Sequence, residues 1–226
     1  LNSIGLPTLQ GYGLTETSPV VSCNPINDIR VETVGPPFKG NLVKIADDGE
    51  LLIKGPNVMM GYFKDPEKTA EVLDHGWLRT GDQGHLDSEG YLFITGRVKD
   101  TFKTAKGEFI VPTPMEGVLE QNSDIEQICM VGLGCPQPIA MVVLSEMGLA
   151  KSKESLAKSL DPTLSDLNKT LESYQKISTI VVVKEAWSVE NGCLTPTLKV
   201  KRNMVNQQYQ DNLESWHAAS ETIIFE

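Results

Sequence analysis

Four cations, Arg97, Lys99, Lys103 and Lys106, stand within ten residues, followed by a lone Gly107, an extended apolar run over 109–111 and Pro112. A second, shorter cationic segment, Thr195-Pro-Thr-Leu-Lys-Val-Lys-Arg202, lies near the other end. Segments of this kind seek anions; their plainer alternative is a solvated cationic turn. The chain as a whole is acidic, with a formal net charge of −10 over 226 residues. That argues against a nucleic-acid surface, which would show as a basic face, and it makes the two clusters more informative. A turn-rich β pattern precedes the first and a small α/β pattern follows it, so one site shared between two domains is expected, with the first segment at their junction.

Two further groups could do chemistry. Gly11-Tyr-Gly-Leu-Thr-Glu16 sets glycines around a tyrosine before a polar pair. Gly11 and Gly13 would let the backbone approach a planar or anionic ligand, and Tyr12 offers a stacking face. Thr15 can hydrogen-bond a phosphate, and Glu16 can give an oxygen to a hard cation such as Mg2+. An ordinary glycine-rich turn is the alternative. Asp82 follows Thr80-Gly81 at an expected strand end, where a carboxylate can accept two hydroxyl hydrogen bonds, as a ribose diol needs; a turn-capping aspartate reads the same way. The cysteines Cys23, Cys129, Cys135 and Cys193 have no metal-like spacing and read as reduced thiols of an intracellular, cytoplasmic protein. No apolar stretch is long enough to span a bilayer. The chain opens at Leu1 with neither an initiator Met nor a signal-peptide pattern, and is expected to be part of something longer.

The elements that must position these groups can be read in outline. Residues 42–46 and 50–54 flank Asp47-Asp48-Gly49, a hairpin signal. Asp65-Pro66 reads as an N-cap and first helical position, with the helix stopping by Gly76. A strand is expected over 91–95. Thr113-Pro-Met-Glu116 reads as a capping box opening a helix to about 121. Strands are expected over 127–133, 139–144 and 178–184. Leu164, Leu167, Leu171 and Tyr174 form one helical stripe, and Val205, Tyr209, Leu213 and Trp216 a last amphipathic helix.

Six segments in order, Gly11-Tyr-Gly-Leu-Thr-Glu16, Gly49-Glu-Leu-Leu-Ile-Lys-Gly55, Gly61-Tyr-Phe, Trp77 with Thr80-Gly-Asp82, Gly96-Arg-Val-Lys-Asp100 and Pro196-Thr-Leu-Lys199, resemble the adenylate-forming superfamily. Phe-Lys-Thr-Ala-Lys-Gly-Glu-Phe-Ile-Val-Pro and Leu-Thr-Pro-Thr-Leu-Lys-Val-Lys-Arg look most like its long-chain fatty acyl-CoA synthetase branch. The resemblance covers essentially the whole chain. It implies an α/β fold with α+β character. Residues 1–98 would end a large ATP-binding domain, including its distorted β-barrel part, and 99–226 would be a small mobile C-terminal lid domain.

It also implies a two-step reaction: a carboxylate attacks the α-phosphorus of ATP, and coenzyme A then displaces AMP to give a thioester. Gly11, Tyr12 and Gly13 would frame the adenine, Thr15 and Glu16 would handle phosphate and Mg2+, and Asp82 with Arg97 would hold the ribose. Lys199 would be the catalytic lysine of the first step, Lys99 the hinge, Lys103 the second-step cation, and Gly107 would leave room for pantetheine. Leu198 replaces the glycine many members have before that lysine. The upstream phosphate-binding loop is absent, so this chain alone is expected to be inactive. Fatty acid, ATP and CoA are the implied partners, with work near a membrane but no visible anchor. The alternatives are an acyl ligase for a carrier protein or another acid, and a non-catalytic acyl- or nucleotide-binding homologue.

Overall fold

The structure, a computed structural model, describes residues 4–6 and 8–226; Leu1 and Pro7, included in the sequence reading, lie outside them. The chain divides into two compact units, Leu1–Lys99 and Asp100–Glu226.

In the first unit, a short pair, β1 (Gly11–Tyr12) and β2 (Ser22–Cys23), stands apart from a curled five-stranded sheet. The expected hairpin is present as β3 (Leu42–Ile45) and β4 (Glu50–Lys54), antiparallel with Leu42 opposite Lys54. Helix α1 (Pro66–Val72) starts where the sequence placed it, the Asp65 side chain accepting from the Lys68 N–H. It runs into β5 (Leu73–Asp74) and then β6 (Trp77–Leu86), which pairs with β4 and β5 early and with β7 (Leu92–Arg97) late.

The second unit is a layered α/β sheet. Its small hairpin, β8 (Phe102–Lys103) and β9 (Phe109–Ile110), leads to α2 (Thr113–Leu119). Strands β10 (Ile125–Val131) and β11 (Ile139–Leu144) pair antiparallel; α3 (Glu146–Leu149) and α4 (Lys153–Thr170) cross to β12 (Ile180–Val182), which is parallel to β11. After α5 (Arg202–Tyr209) and α6 (Leu213–Ala218), β13 (Ile223–Phe225) closes the sheet beside β12. Because strand side chains alternate, Ile128, Met130, Ala140 and Val142 face one core with α2 and α4. Cys129, Val131, Met141 and Val143 face the other, with α5 and α6. Both faces are covered, which is why these strands read as unbroken apolar runs.

One turn recurs four times, over 46–50, 87–91, 104–108 and 195–199. In each, the first residue's N–H donates to the fifth residue's carbonyl, at 2.9, 3.0, 2.9 and 2.8 Å, and the fourth residue's N–H donates to the first's carbonyl. This is the three-residue hairpin loop whose last residue must be left-handed. That residue is Gly49, Gly90 and Gly107, with φ of 82°, 84° and 83°, and then Leu198, with φ of 59°.

Four expectations need correcting. Glu116 does not cap α2, which has no side-chain cap; its carboxylate is buried and accepts from the Met130 N–H at 2.7 Å. The stripe on α4 is Leu156, Leu160, Leu164 and Leu167. The helix runs through Pro162 and ends at Thr170, so Leu171 is extended and, with Tyr174, packs on the core from beyond it. The last helix is broken by a 3-10 turn, Gln210–Asn212, although all four of its anchors are buried. Asp82 lies inside β6, not at a strand end.

Candidate active site

The chemistry-bearing residues fall into one group in each unit. In the first, the middle of β6 bulges. Gly81 has φ of 73°, and its N–H donates at 2.8 Å to the buried Glu50 carboxylate, while the Thr80 hydroxyl donates to the Leu51 carbonyl, also at 2.8 Å. Arg79 holds the other Glu50 oxygen at 2.5 Å. Sequence reasoning passed over Glu50, because its partners come from another strand.

The bulge presents Asp82, which is only 5% exposed. Its Oδ2 accepts from the Tyr12 hydroxyl at 2.6 Å and its Oδ1 pairs with Arg97 Nε at 3.1 Å. Residues expected to act on adenine and on ribose are thus joined directly. Burial first, then the bond to Asp82, holds the Tyr12 phenol well above its ordinary pKa, so it remains a donor. Two oxygens carry about four acceptor positions, which leaves the carboxylate able to receive two hydroxyls.

Nearby in sequence, Thr15 is exposed on a 3-10 turn, Thr15–Thr17. Glu16 Oε1 accepts from the Tyr62 hydroxyl at 2.8 Å, and that bond is the leading cause of the raised Tyr62 pKa. Tyr62 belongs to the Gly61-Tyr-Phe segment but had been given no role. Among the described residues, no three metal-ligating side chains cluster. Glu16 fits Mg2+ only as a single carboxylate beside waters and phosphate oxygens, the mode that ion prefers. Gly13 is tightly surrounded: an added Cβ would come within 1.8 Å of the Pro19 carbonyl oxygen.

Lys99 is exposed on the 3-10 turn Val98–Asp100 and is the last residue of the first unit.

In the second unit, Lys199 is exposed at the end of the fourth recurring turn. Its N–H also donates to Thr195 Oγ1 at 3.0 Å, and residues 194 and 200 bridge below it. Gly107 belongs to the third turn, and Lys103, the last residue of β8, immediately precedes it. Lys103 Nζ lies 4.6 Å from the Phe109 ring centre, and an added Cβ on Gly107 would meet nothing within 4 Å.

Arg202, read from sequence as part of an anion-seeking run, is not available to a ligand. Its side chain is 15% exposed and grips Glu116 through both terminal nitrogens, at 2.7 and 2.9 Å; Nη1 also donates to the Met130 carbonyl at 2.6 Å. The correction has a simple cause: the partner lies 86 residues away, beyond any local pattern. Cys129 lies against the same guanidinium, yet burial pushes its thiol up to about 12, so it is not a nucleophile. All four cysteines are free thiols.

Comparison with known proteins gives this arrangement a class. Residues 99–221 match the family described as "AMP-binding enzyme C-terminal domain", and residues 2–63 match "AMP-binding enzyme". The chain belongs to the AMP-binding enzyme family, that is, to the adenylate-forming superfamily. Within it the likeness is to fatty acyl-CoA ligases. Long-chain-fatty-acid–CoA ligase FadD15 of Mycobacterium bovis is 33% identical over 93% of this chain and 38% of its own length. Long-chain-fatty-acid–CoA ligase 5 of Mus musculus is 34% identical over 97% and 36%. The chain thus spans little more than a third of these relatives. Among solved structures, the o-succinylbenzoate CoA synthetase of Bacillus subtilis in complex with AMP aligns with a TM-score of 0.72 at 27% identity, over 89% of this chain and 41% of that one. The adenylation domain of a Mycobacterium chelonae carboxylate reductase aligns with a TM-score of 0.75 at 27% identity, over 93% and 34%.

Proposed function

We propose that this chain forms part of the nucleotide site, and the lysine-bearing unit, of an ATP-dependent long-chain fatty acid–CoA ligase. The observation that carries the reading is the buried Asp82 carboxylate, fixed between Tyr12 and Arg97 with acceptor capacity to spare. A carboxylate oxygen of the fatty acid attacks the α-phosphorus of ATP, the bond to the β-phosphate oxygen breaks, and pyrophosphate leaves. No general base is needed, because the acid is already ionised at neutral pH. Lys199 neutralises charge that grows on the α-phosphate and carboxylate oxygens, the kind of preorganised stabilisation that dominates such steps. The sulfur of CoA then bonds to the acyl carbon and AMP departs, the thiol proton passing to solvent. Arg97 assists Asp82 at the ribose, Gly11, Tyr12 and Gly13 border the adenine, and Thr15 contacts phosphate. Glu16 would hold Mg2+, which would supply screening of the phosphate charge when bound. Between the steps the second unit turns about Lys99, bringing Lys103 and Gly107 into use for the thiol.

Two features support this reading over a non-catalytic homologue: Glu16, Asp82, Arg97 and Lys199 are all present, and Lys199 stands on a turn closed by three hydrogen bonds. The test is pyrophosphate exchange, over a panel of fatty and aromatic acids. The enzyme should carry this chain together with the upstream region its relatives have, and the 226-residue chain should be run in parallel. Exchange with fatty acids by the longer protein and none by the chain alone is expected. Silence across the panel would remove the enzyme reading, and exchange with aromatic acids alone would change the substrate class. A carrier-protein acceptor, suggested by the carboxylate reductase neighbour, is separated by offering CoA alone to the adenylate.

A further inference from the structure

We propose that Asp100 is a positioning residue for Lys199, acting through Arg202; this rests on the role given to Lys199 above. Arg202 opens α5, three residues beyond Lys199. Its guanidinium is pinned by Glu116 and by the Met130 carbonyl, so its plane has little freedom. Its Nε is buried and has no hydrogen-bond acceptor among the described residues. The carboxylate beside it is Asp100, with Oδ1 at 3.9 Å: within ion-pair range, but beyond hydrogen-bond reach.

The place of Asp100 in the chain gives this gap its meaning. It is the first residue of the second unit and the last of the 3-10 turn that carries Lys99. A change of backbone torsion at that turn moves its carboxylate directly, and about 1 Å of approach would complete a charge-assisted bond to Nε. From Arg202 the path to the lysine is short. The Lys201 N–H donates to the Cys193 carbonyl at 2.7 Å at the foot of the hairpin, and the 195–199 turn stands on that foot. A closed Asp100–Arg202 bond therefore steadies the base from which Lys199 projects, and an open one releases it. The fold does not require Asp100 for this charge, since Glu116 already satisfies Arg202 bidentately, and Asp100 remains about one-third exposed at 34%. A carboxylate kept beside an already neutralised guanidinium, on the residue next to the unit boundary, has positioning as its function.

The test separates the two half-reactions in the longer protein. Asp100→Ala should slow adenylate formation about tenfold, equivalent to about 1.4 kcal/mol. KM for ATP should stay within about twofold and thioester formation from supplied acyl-adenylate should be unchanged, because an acceptor to Nε acts only on the step that uses Lys199. Asp100→Asn keeps an uncharged acceptor and should recover most of the loss, with the melting temperature of both variants near wild type. Full adenylation by Asp100→Ala would overturn the proposal. So would an equal fall of both half-reactions in step with the melting temperature, which would mark Asp100 as merely structural. If the wild type catalyses no exchange with any acid, the functional reading fails first and this inference fails with it.

Discussion

The 104–108 and 195–199 turns are the same backbone built from different residues. Each begins with a threonine whose Oγ1 accepts the N–H of the fifth residue, at 3.3 and 3.0 Å. Each has its fourth residue left-handed, and each has a lysine that the proposed mechanism uses, Lys103 just before one and Lys199 closing the other. They differ at the left-handed position, where Gly107 is relaxed and Leu198 is strained. For a residue with a Cβ this conformation costs about 1–2 kcal/mol. Space does not account for the difference, since Gly107 has open surroundings and Leu198 is 68% exposed. Strain kept at one of two like turns, beside the lysine proposed for adenylate formation, is consistent with a functional constraint on that turn.

Exchanging or removing parts of the two turns tests this contrast. The largest effect is expected from Lys199→Ala, which should reduce adenylate formation about 10²- to 10³-fold while sparing thioester formation from supplied acyl-adenylate; equal loss in both would contradict the division of labour. Lys103→Ala should show the mirror image at about tenfold, a modest electrostatic contribution, measured by single-turnover thioester formation. Thermal unfolding should distinguish the left-handed positions. Gly107→Leu should lower stability by about 1–2 kcal/mol and Leu198→Gly should raise it by about 1 kcal/mol. A Leu198→Gly protein no more stable than its parent would mean that the Leu198 side chain repays its strain through contacts. Smallest is Thr195→Val, expected to cost about 1 kcal/mol in stability through the lost acceptor for the Lys199 N–H. It should affect adenylate formation more than Thr104→Val does, which a matched pair of exchange assays would reveal.

Local chemistry made much of this legible beforehand. The 46–50 turn declares itself in Asp-Asp-Gly, α1 in Asp-Pro, and the buried sheet in its apolar runs. The left-handed position of Leu198 could be suspected from the absent glycine. What escaped the sequence was long-range or exceptional. Proline ordinarily interrupts a helix, yet α4 absorbs Pro162 mid-helix, forgoing one backbone bond while four buried leucines hold the helix down. Gly81 looks like the end of a strand, yet the strand continues through a bulge that Glu50 satisfies. Thr113 with Glu116 matches a capping box, yet Arg202 claims the glutamate. The Tyr12–Asp82 and Tyr62–Glu16 bonds join segments 70 and 46 residues apart; their members stood in the motifs, but no spacing rule pairs them.

The tight fit at Gly13 bears on how a mutational scan of this region should be interpreted. A side chain there would drive into the main chain at Pro19, so nearly every substitution would be scored as damaging whether or not a nucleotide ever comes near. Intolerance at position 13 would report on assembly of the loop. Intolerance at Thr15, which is exposed, would be informative about the ligand.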